Sequence, residues 1–194
     1  MISNQPHTVG TKCLADASSL AIVDIQQRLG AAMPNKVLNR VLQNAALLAR
    51  SASLLAIPII RTEQYPEGLG GTHSAINDAL PPTFSAIQKT TFSCCGSDAF
   101  RDVLSRSPAR RQIVLVGMEA HVCILQTALD LGASGHEVFV VEDAICSRRL
   151  ENYQNALDRL RAHDVSVVSA ESVVFEWLSD SKHPQFKAIQ RMLR

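Results

Sequence analysis

The run Ile113 to Leu131, IVLVGMEAHVCILQTALDL, constrains the fold more than any other part of the chain. Ile113 to Val116 is a continuous apolar, β-branched run of the kind buried on both faces of a parallel sheet, and it is expected to stop at Gly117. From Val122 onward, Val122, Leu125 and Leu129 recur at helical spacing. The stretch therefore reads as strand, sharp turn and helix, with Cys123 in the first helical turn. Unpaired N–H groups and the positive dipole end at such a turn favour thiolate over thiol and can hold a developing oxyanion. A buried structural cysteine is the competing reading, and the better one for any of the five cysteines taken at random.

The same alternation runs through the chain. Residues 1–17 read as a polar tail, and the domain is expected over 18–194. Leu20 to Val23 is a short buried strand ending in Asp24, which on its residues alone divides between a capping role and a functional one. Lys36 to Ser53 carries Val37, Val41, Ala45 and Leu48 on one helical face. Pro58 opens a strand over Ile59 to Arg61, and the Pro/Gly-rich loop TEQYPEGLGG follows it. Within that loop Glu67 reads as surface, whereas Tyr65 can wall a pocket.

A weak strand over Ala86 to Thr91 holds Lys89, which on its residues alone reads as a solvated surface charge, and Phe92 and Ser93 follow it at the pocket rim. A helix from Asp98 to Ser105 precedes the central strand. After the central helix come a strand over Glu137 to Val141, a helix over Leu150 to Ala162, a strand over Val165 to Val168, and helices near Glu171 to Leu178 and after Pro184. Strands alternating with helices imply a single three-layer α/β/α domain built on a parallel sheet with right-handed crossovers.

Three motifs, GMEAHVCILQTALDL, TEQYPEGLGGT from Thr62 and KTTFS from Lys89, occur in this order and resemble the isochorismatase-like cysteine hydrolases, closest to the isochorismatase domain-containing subgroup. The resemblance spans Ser18 to the C-terminus. It implies a six-stranded doubly wound sheet and a catalytic set of Asp24, in a matching V-D-x-Q context, with Lys89 and Cys123. It also implies a cis peptide at Met118–Glu119, an oxyanion hole near Glu119 and Cys123, and a homo-oligomer. Gln26, Tyr65, Phe92 and His121 are the further candidates for substrate contact.

The chemistry expected of this set follows from its charges. A free thiol is only a few per cent ionised at neutral pH, so Cys123 needs a base or a cation beside it. Asp24 alone would raise the thiol pKa, so its useful role is to accept the thiol proton, with Lys89 keeping the carboxylate ionised. Thiolate attack on an amide-like carbonyl gives a thioester that water then hydrolyses. Cys123 is expected to titrate below a free thiol, and Cys94 and Cys95 to be unperturbed thiols, at most one of which faces the site.

Two departures narrow the reaction. Nicotinamidases of this fold hold a metal through Asp and His residues after the second strand, and here that region is R-T-E-Q-Y-P-E-G, with His73 nearby but no D-x-H spacing. No metal and no other cofactor are expected. Isochorismatases proper, which cleave a vinyl ether, lack the cysteine, so Cys123 favours C–N bond hydrolysis in an amide or ureide. A binding or scaffold protein that retains the triad without turnover is the alternative.

Composition removes other classes. A formal charge of +1 implies no bulk attraction to nucleic acid or an anionic membrane. No apolar run approaches the roughly 18 residues of a membrane span, and no secretory signal pattern opens the chain. Five irregularly spaced cysteines make no secreted disulfide framework, so a cytoplasmic protein with a small-molecule substrate is expected.

Overall fold

The computed structural model describes residues 12–81 and 84–193. Most of the expected tail lies outside these, but its last residues are packed. Cys13 is fully buried, and its N–H donates to the Glu176 carboxylate at 2.7 Å.

Six parallel strands, β1 (Ser18–Val23), β2 (Ile59–Gln64), β3 (Ile87–Lys89), β4 (Gln112–Met118), β5 (Glu137–Cys146) and β6 (Ser166–Val168), form one sheet in the order β3-β2-β1-β4-β5-β6. The reason these runs lack a polar face is visible in the packing. Successive residues of a strand point to opposite faces, and both faces are covered. Leu20 and Ile22 of β1, Val114 and Val116 of β4, and Phe139 and Val141 of β5 enter one core. Ala21 and Val23, Ile113 and Leu115, and Val138 and Val140 enter the other.

The first core is closed by α1 (Gln27–Ala31), α2 (Asn35–Leu54), α4 (Ser74–Asn77), α8 (Ala170–Leu178) and α9 (Phe186–Met192). Helix α2 buries Val41, Ala45, Leu48 and Ala52 completely, the spacing of one helical face. Truncating a side chain such as Leu48 to Ala costs about 2–5 kcal/mol. The second core lies under α5 (Asp98–Ser105), α6 (Leu125–Ala133) and α7 (Leu150–Arg161). The loop after β2 contains the short α3 (Pro66–Leu69) as well as α4, and so is more ordered than its Pro and Gly content suggests.

Strand β4 does not stop at Gly117 but continues to Met118, because Gly117 can adopt φ +132. A Cβ there would lie 1.9 Å from the Val23 carbonyl oxygen, so only glycine lets the ends of β4 and β1 approach this closely. Sequence order reverses between these two strands, making their carboxyl ends the switch-point crevice where open α/β sheets bind ligands.

Candidate active site

Asp24 is the first residue after β1 and turns the chain with φ +52, which carries its side chain into the crevice. It is fully buried. Its Oδ1 accepts from the Thr62 hydroxyl at 2.7 Å, and its Oδ2 accepts from Lys89 Nζ at 2.7 Å. Lys89 ends β3, two strands away. Its ammonium also donates to Gln64 Oε1 at 2.9 Å and to the carbonyls of Thr91 and Phe92 at 3.1 and 3.2 Å. Such a buried cation persists only because it is paired and hydrogen-bonded.

Cys123 completes the group. Its thiol lies in the fields of both the Asp24 carboxylate and the Lys89 ammonium. The Met118–Glu119 peptide is cis. Residues Ala120–Ile124 form a π-helical turn rather than the α-helical first turn expected, and α6 begins only at Leu125. The wide turn leaves the Glu119 carbonyl accepting from both Val122 and Ile124. Cys123 sits between these two residues, facing the second core and Asp24.

The expected direction of the thiol shift is reversed. Burial first, and the Asp24 carboxylate second, push Cys123 well above the ordinary thiol value, with Lys89 pulling the other way. Desolvation outweighs the cation because Lys89 already neutralises Asp24, while the thiol is only 5% exposed.

Cys94 and Cys95 also depart from unperturbed thiols. Cys94 is fully buried, its Sγ lies 3.9 Å from the Thr62 hydroxyl, and burial raises it to about 11 against the pull of Lys89. Cys95 is half-buried and raised by burial and Asp130. The backbone at Cys94 is fixed by Thr127, whose hydroxyl accepts its N–H at 2.9 Å. Of the adjacent pair, Cys94 is the one that lies by Thr62 and in the fields of Lys89 and Asp24.

The other candidates separate. Gln26 is fully buried and engaged with backbone: its amide donates to the carbonyls of Gln64 and Gly70 and accepts from Gln64 N–H. It ties the loops after β1 and β2 together. His121 contacts Ser147 Oγ at 2.9 Å through Nδ1 and Asn152 at 3.3 Å through Nε2. The Glu119 carboxylate accepts from the backbone N–H of Arg148 at 3.0 Å and from its Nε at 3.1 Å.

Sequence reasoning missed Thr62 and Gln64, which hold Asp24 and Lys89. The signal was present. In β2 the buried positions are Ile60, Thr62 and Gln64, alternating with half-buried neighbours, so a period-2 reading puts two polar side chains on the face toward the second core.

A family model described as the isochorismatase domain matches residues 18–172. The chain belongs to the isochorismatase family. It is 37% identical over 171 residues to isochorismatase domain-containing protein 1 of Salmo salar, which covers 88% of this chain but only 59% of that longer relative. To isochorismatase domain-containing protein 2 of Bos taurus it is 35% identical over 184 residues, covering 94% of this chain and 86% of the relative. A solved structure of MAR1 ribonuclease from Caenorhabditis elegans superposes with a TM-score of 0.87 at 31% identity, covering 94% and 92% of the two chains. The fold is thus that of the isochorismatase-family hydrolases.

In this isochorismatase domain Tyr65 and Phe92 are about half exposed, at 52% and 55%, on the loops after β2 and β3. Tyr65 borders an open cleft of about 340 Å³ that reaches Lys89 and is also walled by Gln88, Thr91 and Ser97. A larger cavity of about 700 Å³ lies among α2, α4 and α9, on the other face of the sheet from Cys123 and with no Cys, Ser or Thr in its walls. Among the described residues no cluster of three or more His, Cys, Asp or Glu could hold a metal ion, and no helix is long and apolar enough to cross a membrane.

Proposed function

We propose that this chain is a cysteine-dependent hydrolase of a C–N bond in a small amide, ureide or related molecule, acting through a thioester on Cys123. The observation that carries the reading is the buried Asp24 carboxylate, held by Lys89 and Thr62, whose charge acts on the Cys123 thiol. A thiol raised by burial is a poor nucleophile until its proton leaves, and Asp24 is the group placed to take it.

The steps balance on these residues. The thiol proton passes to Asp24 as Sγ bonds to the substrate carbonyl carbon, and the oxyanion is met by backbone N–H groups at Glu119 and Cys123. As the C–N bond breaks, Asp24 returns the proton to the leaving nitrogen. Water then attacks the thioester, giving its proton to Asp24 and hence to the departing thiolate, and the acid product is released. Lys89, ion-paired with Asp24, faces each change of charge on that carboxylate.

The ribonuclease name of the Caenorhabditis elegans neighbour does not redirect this reading. A polynucleotide needs a cationic track, and a formal charge of +1 with Lys89 fully enclosed supplies none. Five free cysteines suit a reducing compartment such as the cytoplasm. Self-association is retained as part of the proposal through Phe175, which is 43% exposed and packs on Phe186 with ring centroids 6.4 Å apart. Trp177 is internal instead, its indole N–H donating to Ser18.

A non-catalytic binding protein is favoured by one observation, the upward shift of the Cys123 thiol. Purified protein and Cys123→Ala screened against small amides, ureides and esters decide between the two. Turnover lost on mutation, with an acyl adduct of Cys123 trapped by mass spectrometry, supports the hydrolase. Equal background across the panel supports binding.

A further inference from the structure

Two thiols from different elements approach the Asp24 carboxylate. Cys94 opens a single 3-10 turn, Cys94–Gly96, in the loop after β3, and Cys123 lies in the π-helical turn after β4. Cys94 Sγ is 3.9 Å from the Thr62 hydroxyl, and that hydroxyl donates to Asp24 at 2.7 Å. The backbone of Cys94 is tied to the other side of the crevice. Its N–H donates to Thr127 Oγ1 at 2.9 Å, and Thr127 stands one helical turn beyond Cys123. Residues one turn apart stack on the same helix face, so Cys94 is pinned beside the face from which Cys123 projects. Both side chains enter the second core, and the Cys123 thiol lies in the field of Cys94 as well as those of Asp24 and Lys89.

Hydrolysis through a thioester uses one sulfur, and the second has no part in it. What a neighbouring cysteine supplies is a partner for the sulfenic acid that a peroxide makes of the first. We propose that Cys94 is a resolving cysteine that captures oxidised Cys123 as a disulfide, so that the pair is a reversible modification site for hydrogen peroxide. The bonds balance on these groups. Cys123 Sγ attacks one peroxide oxygen, the O–O bond breaks, and the thiol proton passes by way of Asp24 to the departing hydroxide, releasing one water. Cys94 Sγ then attacks the Cys123 sulfur, the S–O bond breaks, and the Cys94 proton leaves with that hydroxide as the second water. Burial raises both thiols, and neutral thiols oxidise slowly, so the pair is not a fast sensor. Cys94 instead sets the fate of the oxidised sulfur, diverting it from sulfinic acid, which thiols do not reverse. Cys123 is 5% exposed and Cys94 is fully buried, so the oxidant that reaches them must be small.

The test treats the whole protein with hydrogen peroxide and maps its sulfurs by mass spectrometry of unreduced tryptic peptides. Fragmentation must separate Cys94 from Cys95 and Cys123 from Cys146, since each pair shares a peptide. In the wild type the link joins Cys94 to Cys123, and dithiothreitol restores both to alkylation. Cys95→Ser gives the same link. Cys94→Ser gives none, Cys123 accumulates as sulfinic acid, and its recovery by dithiothreitol is lost. A link from Cys123 to Cys95 or Cys146 in place of Cys94 overturns the assignment, as does equal recovery of Cys123 in Cys94→Ser and the wild type. Where Cys94→Ser does not fold, the wild type decides alone. Cys123 carried to sulfinic acid while Cys94 stays reduced, or Cys123 left intact at a dose that fully oxidises Cys95, refutes the resolving role. The readout is sulfur chemistry, so a protein that forms the link and hydrolyses nothing counts against the hydrolase reading alone.

Discussion

Lys89 and Asp24 meet at 2.7 Å with side chains that are 1% and 0% exposed, an ion pair drawn from strands that are not neighbours in the sheet. Strand β2 lies between them, and its Thr62 and Gln64 each hold one member. Removing one charge strands the other. Lys89→Ala is therefore expected to destabilise the fold by about 3–5 kcal/mol, well beyond a surface lysine, as well as abolishing turnover. Asp24→Asn keeps much of the hydrogen bonding, and its stability loss is the smaller while turnover still falls by orders of magnitude. Urea melts and turnover of both variants check this, and a Lys89→Ala protein as stable as the wild type would contradict the buried pair.

Asp24 raises the Cys123 thiol and is also its proposed base, so mutating it should move two observables in opposite directions. Asp24→Asn removes an upward influence, and the thiolate fraction at mildly alkaline pH increases. Iodoacetamide labelling of Cys123 then speeds up while hydrolysis is lost. If labelling and hydrolysis fall together, Asp24 is not acting on the thiol through its charge.

The most reactive cysteine is not expected to be the catalytic one. Cys95 is half-buried, whereas Cys13, Cys94, Cys123 and Cys146 are at most 5% exposed. Access should make Cys95 label first at neutral pH, and Cys95→Ser should leave hydrolysis unchanged. Loss of hydrolysis in Cys95→Ser would move the nucleophile to a residue facing away from Asp24.

The layers of the fold were legible because β1, β4 and β5 lack a polar face, and such runs can be buried only between two layers of helices. Asp24 was legible as an acid closing a strand, though divided between capping and function, and Lys89 was singled out only by the resemblance of its KTTFS motif. The π-helical turn at Ala120–Ile124 was not. Its apolar spacing from Val122 onward fits an α-helix equally well, and the difference lies in which carbonyl each N–H reaches. The direction of the Cys123 shift was also hidden, since it depends on desolvation, and sequence shows the charged neighbours but not the depth.

Gly117 makes a prediction independent of catalysis. A methyl group added there meets the Val23 carbonyl oxygen at 1.9 Å, in a backbone conformation that L-residues rarely adopt. The obstacle is backbone in a central strand, and no side-chain rotation relieves it. Gly117→Ala should cost more than about 4 kcal/mol, in the range reserved for backbone clashes and buried charges. Gly132→Ala is the matching control, because a Cβ there meets nothing within 4 Å. Equal melting temperatures for the two variants would mean that β1 and β4 part more easily than their register implies.

The buried thiols predict how stability depends on pH. Burial raises Cys94 from 9.0 to about 11 and Cys146 from 9.0 to about 12, and it raises Cys13 and Cys123 further. A raised folded-state pKa means that the unfolded chain releases its proton first. The contribution is thus fully present below pH 9 and is lost as pH climbs through the folded values. Each such thiol removes up to about 1.4 kcal/mol for every pH unit above 9. Tyr153, also raised by burial, acts with the same sign. Urea midpoints measured from pH 8 to 10.5 should fall with rising slope, and Cys146→Ala, which cannot ionise, should flatten the curve. A midpoint that holds constant or rises over this interval would show that these thiols are not kept neutral by the fold, and with them would go the need for Asp24 to take the proton of Cys123.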